Sequence, residues 1–172
     1  MFKKFYLYYI LFISIFCVFF TFNSSTQEEL DNNSKLYFPI NSRYFSSYYG
    51  YRDLMGKSNF HDGLDIPAAP GTKVYATLSG VITNSSFVKG YGNCITILHD
   101  NGIKSLYAHL SENYLVENGK YVNKGEHIGY VGPKILSDGR LNGYTTGPHL
   151  HFSIFVSNGK SQNPLDFNYS NY

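Results

Sequence analysis

The stretch Thr146-Gly147-Pro148-His149-Leu150-His151-Phe152-Ser153-Ile154 carries two histidines two residues apart. Drawn out as a strand, it sends both imidazoles and Ser153 to one face and Leu150, Phe152 and Ile154 to the other, because strand side chains alternate. One face is apolar enough to bury, and the other presents two imidazoles side by side. That pairing suits a single metal ion, or one metal ligand beside one proton-transfer group. An ordinary half-buried strand can carry the same pattern, so partners elsewhere in the chain must decide.

The first partner set is Phe60-His61-Asp62-Gly63-Leu64-Asp65-Ile66-Pro67. Gly63 and Pro67 oppose a helix. In an extended segment His61 and Asp65 share a face, with Gly63 leaving a gap between them where a metal fits. Imidazole and carboxylate are both zinc ligands. Asp62 is a competing carboxylate, but alternation points it the other way. A third strand-borne imidazole is His109, at the end of Ile103 to Leu110, where Ser105, Tyr107 and His109 are expected to share one face. His99, just before the turn Asp100-Asn101-Gly102, reads as a structural hydrogen-bonding group, and His127 as a surface residue.

The elements that must position these groups are short strands. Aromatic residues make up 18% of the 172 residues, mostly Tyr and Phe, glycine is frequent and charge is low, which fits an all-β domain with many turns. Lys73–Thr77, Gly80–Thr83, Asn93–His99, Ile103–Leu110 and Val122–Val131 read as strands, and Asp100-Asn101-Gly102 is a hairpin signal. No long amphipathic helix and no internal repeat stand out. Gly132 to Gly143 is polar and glycine-rich, a loop leading into the first stretch described.

The N-terminus is a separate segment. Met1-Phe2-Lys3-Lys4 is basic, and Phe5 to Phe22 is nearly all apolar. Its length falls at the border between a signal-peptide core of about 7–15 residues and a spanning helix of about 17 or more. The lack of an Ala-x-Ala site favours an uncleaved hydrophobic helix as anchor, with Lys3 and Lys4 cytoplasmic and the bulk of the chain outside. Residues 1–22 are thus a signal peptide or membrane anchor, 23–38 a polar linker, and 39–172 the working domain. A linker such as 23–34 reaches about 40 Å at about 3.3–3.6 Å per residue, so an anchored domain works close to the membrane. With Lys3 and Lys4 set aside, basic and acidic residues balance, which gives no support to a nucleic-acid partner. Cys17 and Cys94 fall on opposite sides of the membrane boundary, so no disulfide is expected and the fold rests on its core and on metal.

Three motifs, Phe60-His61-Asp62-Gly63-Leu64-Asp65-Ile66, Leu106-Tyr107-Ala108-His109-Leu110 and Thr146-Gly147-Pro148-His149-Leu150-His151-Phe152, together resemble lysostaphin-type (LytM-like) zinc metallopeptidases, the peptidoglycan endopeptidases. Lesser matches are Tyr49-Gly50-Tyr51-Arg52, Pro70-Gly71-Thr72-Lys73-Val74, Gly119-Lys120-Tyr121-Val122, Lys124-Gly125-Glu126-His127-Ile128-Gly129 and Asn163-Pro164-Leu165, so the resemblance covers Pro39 to Phe167. It implies antiparallel sheets around a narrow groove, Zn²⁺ held by His61, Asp65 and His151, and unligated catalytic histidines at His109 and His149. The substrate it implies is the peptide cross-link of bacterial peptidoglycan, attacked in the cell envelope outside the cytoplasm. Pro133 to Gly143 departs from the family pattern as an insertion, expected to form a groove wall. The competing reading is a non-catalytic envelope scaffold or an activator of another wall hydrolase. A secreted lysin aimed at other cells would require the N-terminal segment to be removed.

Overall fold

The period-two pattern of the histidine strand is the organising feature of the sheet. Leu150, Phe152 and Ile154 are fully buried on its apolar face, where they meet Leu64, Ile66, Ile95, Ile97 and Tyr107 in one core. Phe152 stacks at a tilt on Tyr107, with ring centroids 5.5 Å apart. Burying an aromatic side chain of this size contributes about 1.5–3 kcal/mol.

The computed structural model describes residues 35–54, 56–113 and 116–171. The signal or anchor expected at 1–22, and the linker as far as residue 34, lie outside the described residues. Among the described residues no helix is long and apolar enough to cross a membrane. Leu36–Tyr172 forms one compact unit. Leu36 and Phe38, counted with the linker on sequence alone, are buried in the core, and Phe38 packs edge-on against Phe45, Phe152 and Tyr169. The packed domain therefore takes in residues ahead of Pro39.

The strands are β1 Gly50–Leu54, β2 Lys57–His61, β3 Leu64–Pro67, β4 Lys73–Tyr75, β5 Gly80–Val88, β6 Gly92–His99, β7 Lys104–Ala108, β8 Tyr121–Val122, β9 His127–Tyr130, β10 His149–Phe155 and β11 Ser161–Gln162. A 3-10 turn at Pro164–Asp166 is the one helical element among the described residues. The main sheet runs β11-β10-β7-β6-β5-β8, with β3 also paired to β10; β1–β2 and β4–β9 are separate two-stranded ribbons. All named strand pairs are antiparallel. The molecule is thus nearly all-β, as the composition implies.

Two registers position the site. β10 pairs with β3 so that His151 stands opposite Asp65, and with β7 so that His151 stands opposite Ala108. A directly opposed pair projects from the same face with Cβ atoms about 4.5–5.5 Å apart. His61 and Asp65 do not lie on one extended segment, as alternation alone implies. The chain breaks at Asp62-Gly63: β2 ends in the ribbon at His61, and β3 starts in the main sheet at Leu64. Gly63 serves close packing and not a metal gap, since a Cβ there would come within 2.4 Å of the Phe152 carbonyl oxygen and 2.5 Å of Ser153 Oγ.

Candidate metal centre and active site

His61, Asp65 and His151 come together where the β1–β2 ribbon meets the main sheet. His61 Nε2 lies 3.1 Å from Asp65 Oδ1 and 3.1 Å from His151 Nδ1, and the last two atoms are 2.9 Å apart. Both imidazoles are nearly buried. Their outward nitrogens are already engaged. His61 Nδ1 donates to the Tyr48 carbonyl at 2.8 Å, and His151 Nε2 is 2.8 Å from Ser153 Oγ and 3.2 Å from Asp62 Oδ1. With those protons outward, the inward atoms are three acceptors facing one another, and such a triangle calls for a cation. Tetrahedral zinc with bonds of about 2.0–2.1 Å spaces its ligands about 3.3 Å apart, so the donor set fits that metal.

The electrostatics point the same way. Burial works to raise the Asp65 carboxyl, yet the neighbouring imidazoles of His149, His151 and His61 hold it far below the usual carboxylate range. Burial works to lower His151, but Asp62 and Asp65 outweigh it and raise it. Arg52 adds a second cation on the outer side of Asp65, with Nη1 3.2 Å from Oδ2 and 2.5 Å from Ser47 Oγ.

The other two histidines stand beside this triangle. The His109 and His149 rings are 4.6 Å apart, and the His109 ring is 6.1 Å from His151. His149 Nε2 is 3.5 Å from Asp65 Oδ1, and its Nδ1 is 2.8 Å from the Gly147 carbonyl. His109 Nδ1 donates to the Asn142 carbonyl at 2.6 Å. Burial lowers the pKa of His109 to about 4, with His149 contributing through charge repulsion. His109 is therefore neutral at neutral pH, and its Nε2 carries the lone pair.

His109 does not share a face with Ser105 and Tyr107, as strand alternation implies. β7 ends at Ala108, and His109 has φ 57, alone among the described non-glycine residues in the left-handed region. That turn carries its ring to the side where His149 and His151 project, while Tyr107 stays in the core. Asp62 also departs from the alternation rule. Gly63 bends the chain, and the Asp62 carboxylate turns in to His151 while accepting a short hydrogen bond from the Tyr91 hydroxyl. Burial works to raise that carboxyl, and the His151 and Tyr91 bonds outweigh it and lower it.

A cleft of about 280 Å³ opens over the group, lined by Arg52, Phe60, His61, Asp65, Tyr91, His109, Tyr144 and His151 among others. Residues 133–143 do not line it, so the inserted loop is not the wall of this cleft; Tyr144, just beyond it, is. His99 and His127 lie outside the cleft. Sequence reasoning weighed Asp62 and set it aside, and it assigned no role in the site to Tyr91, Arg52 or Asn142. The available signals were an aromatic held between two glycines at Gly90-Tyr91-Gly92 and the arginine ending Tyr49-Gly50-Tyr51-Arg52.

A DD-carboxypeptidase/endopeptidase, Mpg, from Neisseria meningitidis is 43% identical over 122 residues, covering 70% of this chain and 26% of that protein. The chain spans about a quarter of the length of the curated relatives it matches. The catalytic domain of lysostaphin from Staphylococcus simulans superposes with a TM-score of 0.59 at 33% identity, over 74% of this chain and 90% of that domain. A zinc-containing peptidase from Vibrio cholerae gives 0.65 at 27% identity, over 77% of this chain and 39% of that one. The model of peptidase family M23 matches residues 59–164, which hold His61, Asp65, His109, His149 and His151, and the chain belongs to that family.

Proposed function

We propose that this chain is a zinc-dependent endopeptidase that hydrolyses peptide cross-links of bacterial cell-wall peptidoglycan. Membership of family M23, with relatives from Vibrio cholerae named as peptidoglycan DD-endopeptidases, supports a cell-wall hydrolase acting outside the cytoplasm. The observation that carries the metal-dependent reading is the triangle of acceptors, His61 Nε2, Asp65 Oδ1 and His151 Nδ1, no two more than 3.1 Å apart and open to a cleft beside two further imidazoles. A scaffold has no need of this full set.

These three atoms would hold Zn²⁺ and leave a further position open to the cleft. Bound there, zinc supplies Lewis-acid polarisation of the scissile carbonyl and lowers the pKa of a water. The chain's own residues do the rest. His109, neutral and held at Nδ1, offers Nε2 to accept a hydrogen bond from the attacking water and orient it. His149 takes up the water's proton at Nε2, where Asp65 Oδ1 at 3.5 Å stabilises the imidazolium. It then delivers that proton to the departing amine nitrogen. Arg52 holds Asp65 from behind, which keeps the carboxylate aimed inward.

Residues 1–22 act as a signal or membrane anchor in this reading, and the unit that starts at Leu36 holds the peptidase. The test is digestion of purified sacculi by the zinc-loaded full chain in mild detergent, with analysis of the released muropeptides. Cross-linked dimers should fall and monomers rise, and a chelator should stop the reaction. Fully metallated protein that releases nothing from walls of several cross-link types would end the proposal.

A further inference from the structure

Asn142 is wholly buried, belongs to no named strand, and spends its hydrogen bonds on groups other than the three candidate metal ligands. Its amide is used on every side. Oδ1 accepts from the Asn93 N–H at 2.9 Å, and Nδ2 donates to the carbonyls of Leu110 at 3.0 Å and Pro133 at 3.2 Å. Its own N–H donates to the Lys134 carbonyl at 2.9 Å. Its carbonyl receives the 2.6 Å bond from His109 Nδ1. One residue thus ties together the start of β6, the end of the His109 segment and both ends of the insertion.

The neighbourhood is shaped around it. A Cβ on Gly92 would fall 2.3 Å from Asn142 Oδ1, and one on Gly132 would fall 2.6 Å from Nδ2. Gly143, at φ +79, would bring a Cβ within 2.4 Å of the Gly90 carbonyl oxygen. The peptide that presents the carbonyl to His109 is therefore fixed from both sides. His109 itself is held in its left-handed conformation by its N–H on the Tyr91 carbonyl and its carbonyl on the Gly132 N–H, both at 2.9 Å.

The insertion delivers Asn142 to this spot. Residues 134–142 fold back as a small hairpin, with Ile135 bridged to Leu141 and the Leu136 N–H on the Arg140 carbonyl at 2.8 Å. Leu136 is buried, and the Glu112 carboxylate fastens the tip by accepting from the Ser137 N–H at 3.0 Å and its hydroxyl at 2.7 Å. Such a closed, anchored hairpin supports a rigid residue at its base, and none of it reaches the cleft.

We propose that Asn142 is a positioning residue for hydrolysis: its carbonyl, locked by its own side-chain amide, holds His109 as the Nδ1–H tautomer with the Nε2 lone pair in the cleft. A carbonyl can only accept, so whichever nitrogen faces it must carry the proton. The proposal rests on the reading of His109 as a catalytic group.

The test uses the zinc-loaded full chain in mild detergent, ¹⁵N-labelled. Long-range ¹H–¹⁵N imidazole correlations, assigned through His109→Gln, report the tautomer directly. Wild type should show His109 as Nδ1–H. Asn142→Ala should show a mixture of tautomers, a kcat lowered about 100-fold, as expected for a misplaced catalytic group, and KM and zinc stoichiometry within twofold of wild type. Asp138→Ser, at the hairpin tip, should leave both tautomer and kcat unchanged. Wild-type His109 found as Nε2–H overturns the proposal without recourse to any variant, and so does an Asn142→Ala protein that keeps the Nδ1–H tautomer. A chain that digests no wall material would remove the proposed peptidase function while the tautomer measurement still decides the role of Asn142.

Discussion

The buried His99 of the main sheet and the four buried histidines of the cleft, His61, His109, His149 and His151, are set apart by their hydrogen bonding. His99, on β6, ends a closed network. The Thr77 N–H donates to the Tyr107 hydroxyl at 2.7 Å, Ser105 Oγ lies 2.9 Å from that hydroxyl and 2.8 Å from His99 Nε2, and His99 Nδ1 donates to the Ser79 carbonyl at 3.0 Å. Each of these bonds finds its partner within the fold and away from the cleft. In the cleft, His61 and His151 each spend one nitrogen on a backbone or side-chain acceptor and turn the other inward toward Asp65 and toward each other. Burial is similar in the two places, and so is residue type. A surplus of inward acceptors beside an open cleft marks the second as a place where a cation and a proton can be exchanged.

The comparison breaks most visibly at the acceptor triangle. Asp65→Ala should abolish stoichiometric zinc binding, measured by metal analysis after dialysis, and lower muropeptide release by about 1,000-fold or more, the several kcal/mol that a Lewis acid supplies. Retained zinc and rate would remove the distinction between the two histidine groups. His109→Ala and His149→Ala should each lower kcat by about 100- to 10,000-fold while zinc stays bound, since proton handling and not metal affinity is lost. Asp62→Asn is a finer probe. It weakens the carboxylate behind His151 Nε2, and zinc affinity in competition with a chromogenic chelator should fall about 10- to 100-fold. An unchanged affinity would assign that support to Ser153 alone.

Much of this was legible in the chain before any coordinates, and the failures share a cause. Period-two alternation correctly placed Leu150, Phe152 and Ile154 on the core side of β10, and it paired His149 with His151. The turn at Asp100-Asn101-Gly102 and the structural bonding of His99 also followed from local chemistry. Alternation misled wherever the backbone left the strand. Gly63 turned Asp62 inward, and the left-handed backbone at His109 reversed the side of its ring. Asp65 meets His151 through a β3–β10 register that no local pattern encodes, because the two strands are far apart in sequence. Asn142 was hidden for a related reason: its partners come from three separate segments, and a glycine-rich stretch reads as a loop even when it folds as an anchored hairpin.

The closed network should answer mutation in stability and not in rate. Tyr107→Phe removes the acceptor of the buried Thr77 N–H and one link to Ser105, and should cost about 1–3 kcal/mol in urea unfolding while wall digestion per folded molecule stays unchanged. A loss of rate at constant stability would show that the network reaches the cleft.

The smallest effect is the pH dependence that His99 adds. Burial lowers its pKa below the ordinary 6.5, against weaker upward pulls from the Ser79 carbonyl and Asp100. The unfolded chain therefore binds the proton more readily than the folded one, and the stability due to neutral His99 is complete above about pH 6.5. It is lost as pH falls from there through the folded pKa. His99→Gln keeps an amide able to bond Ser79 and Ser105 but cannot take a proton. The stability gap between wild type and His99→Gln, measured by urea unfolding at pH 8 and pH 5, should narrow at the lower pH. The cleft is identical in the two proteins, so its contribution cancels in that difference. A gap of equal size at both pH values would mean that His99 accepts a proton inside the fold as readily as outside it, and that the closed network is open after all.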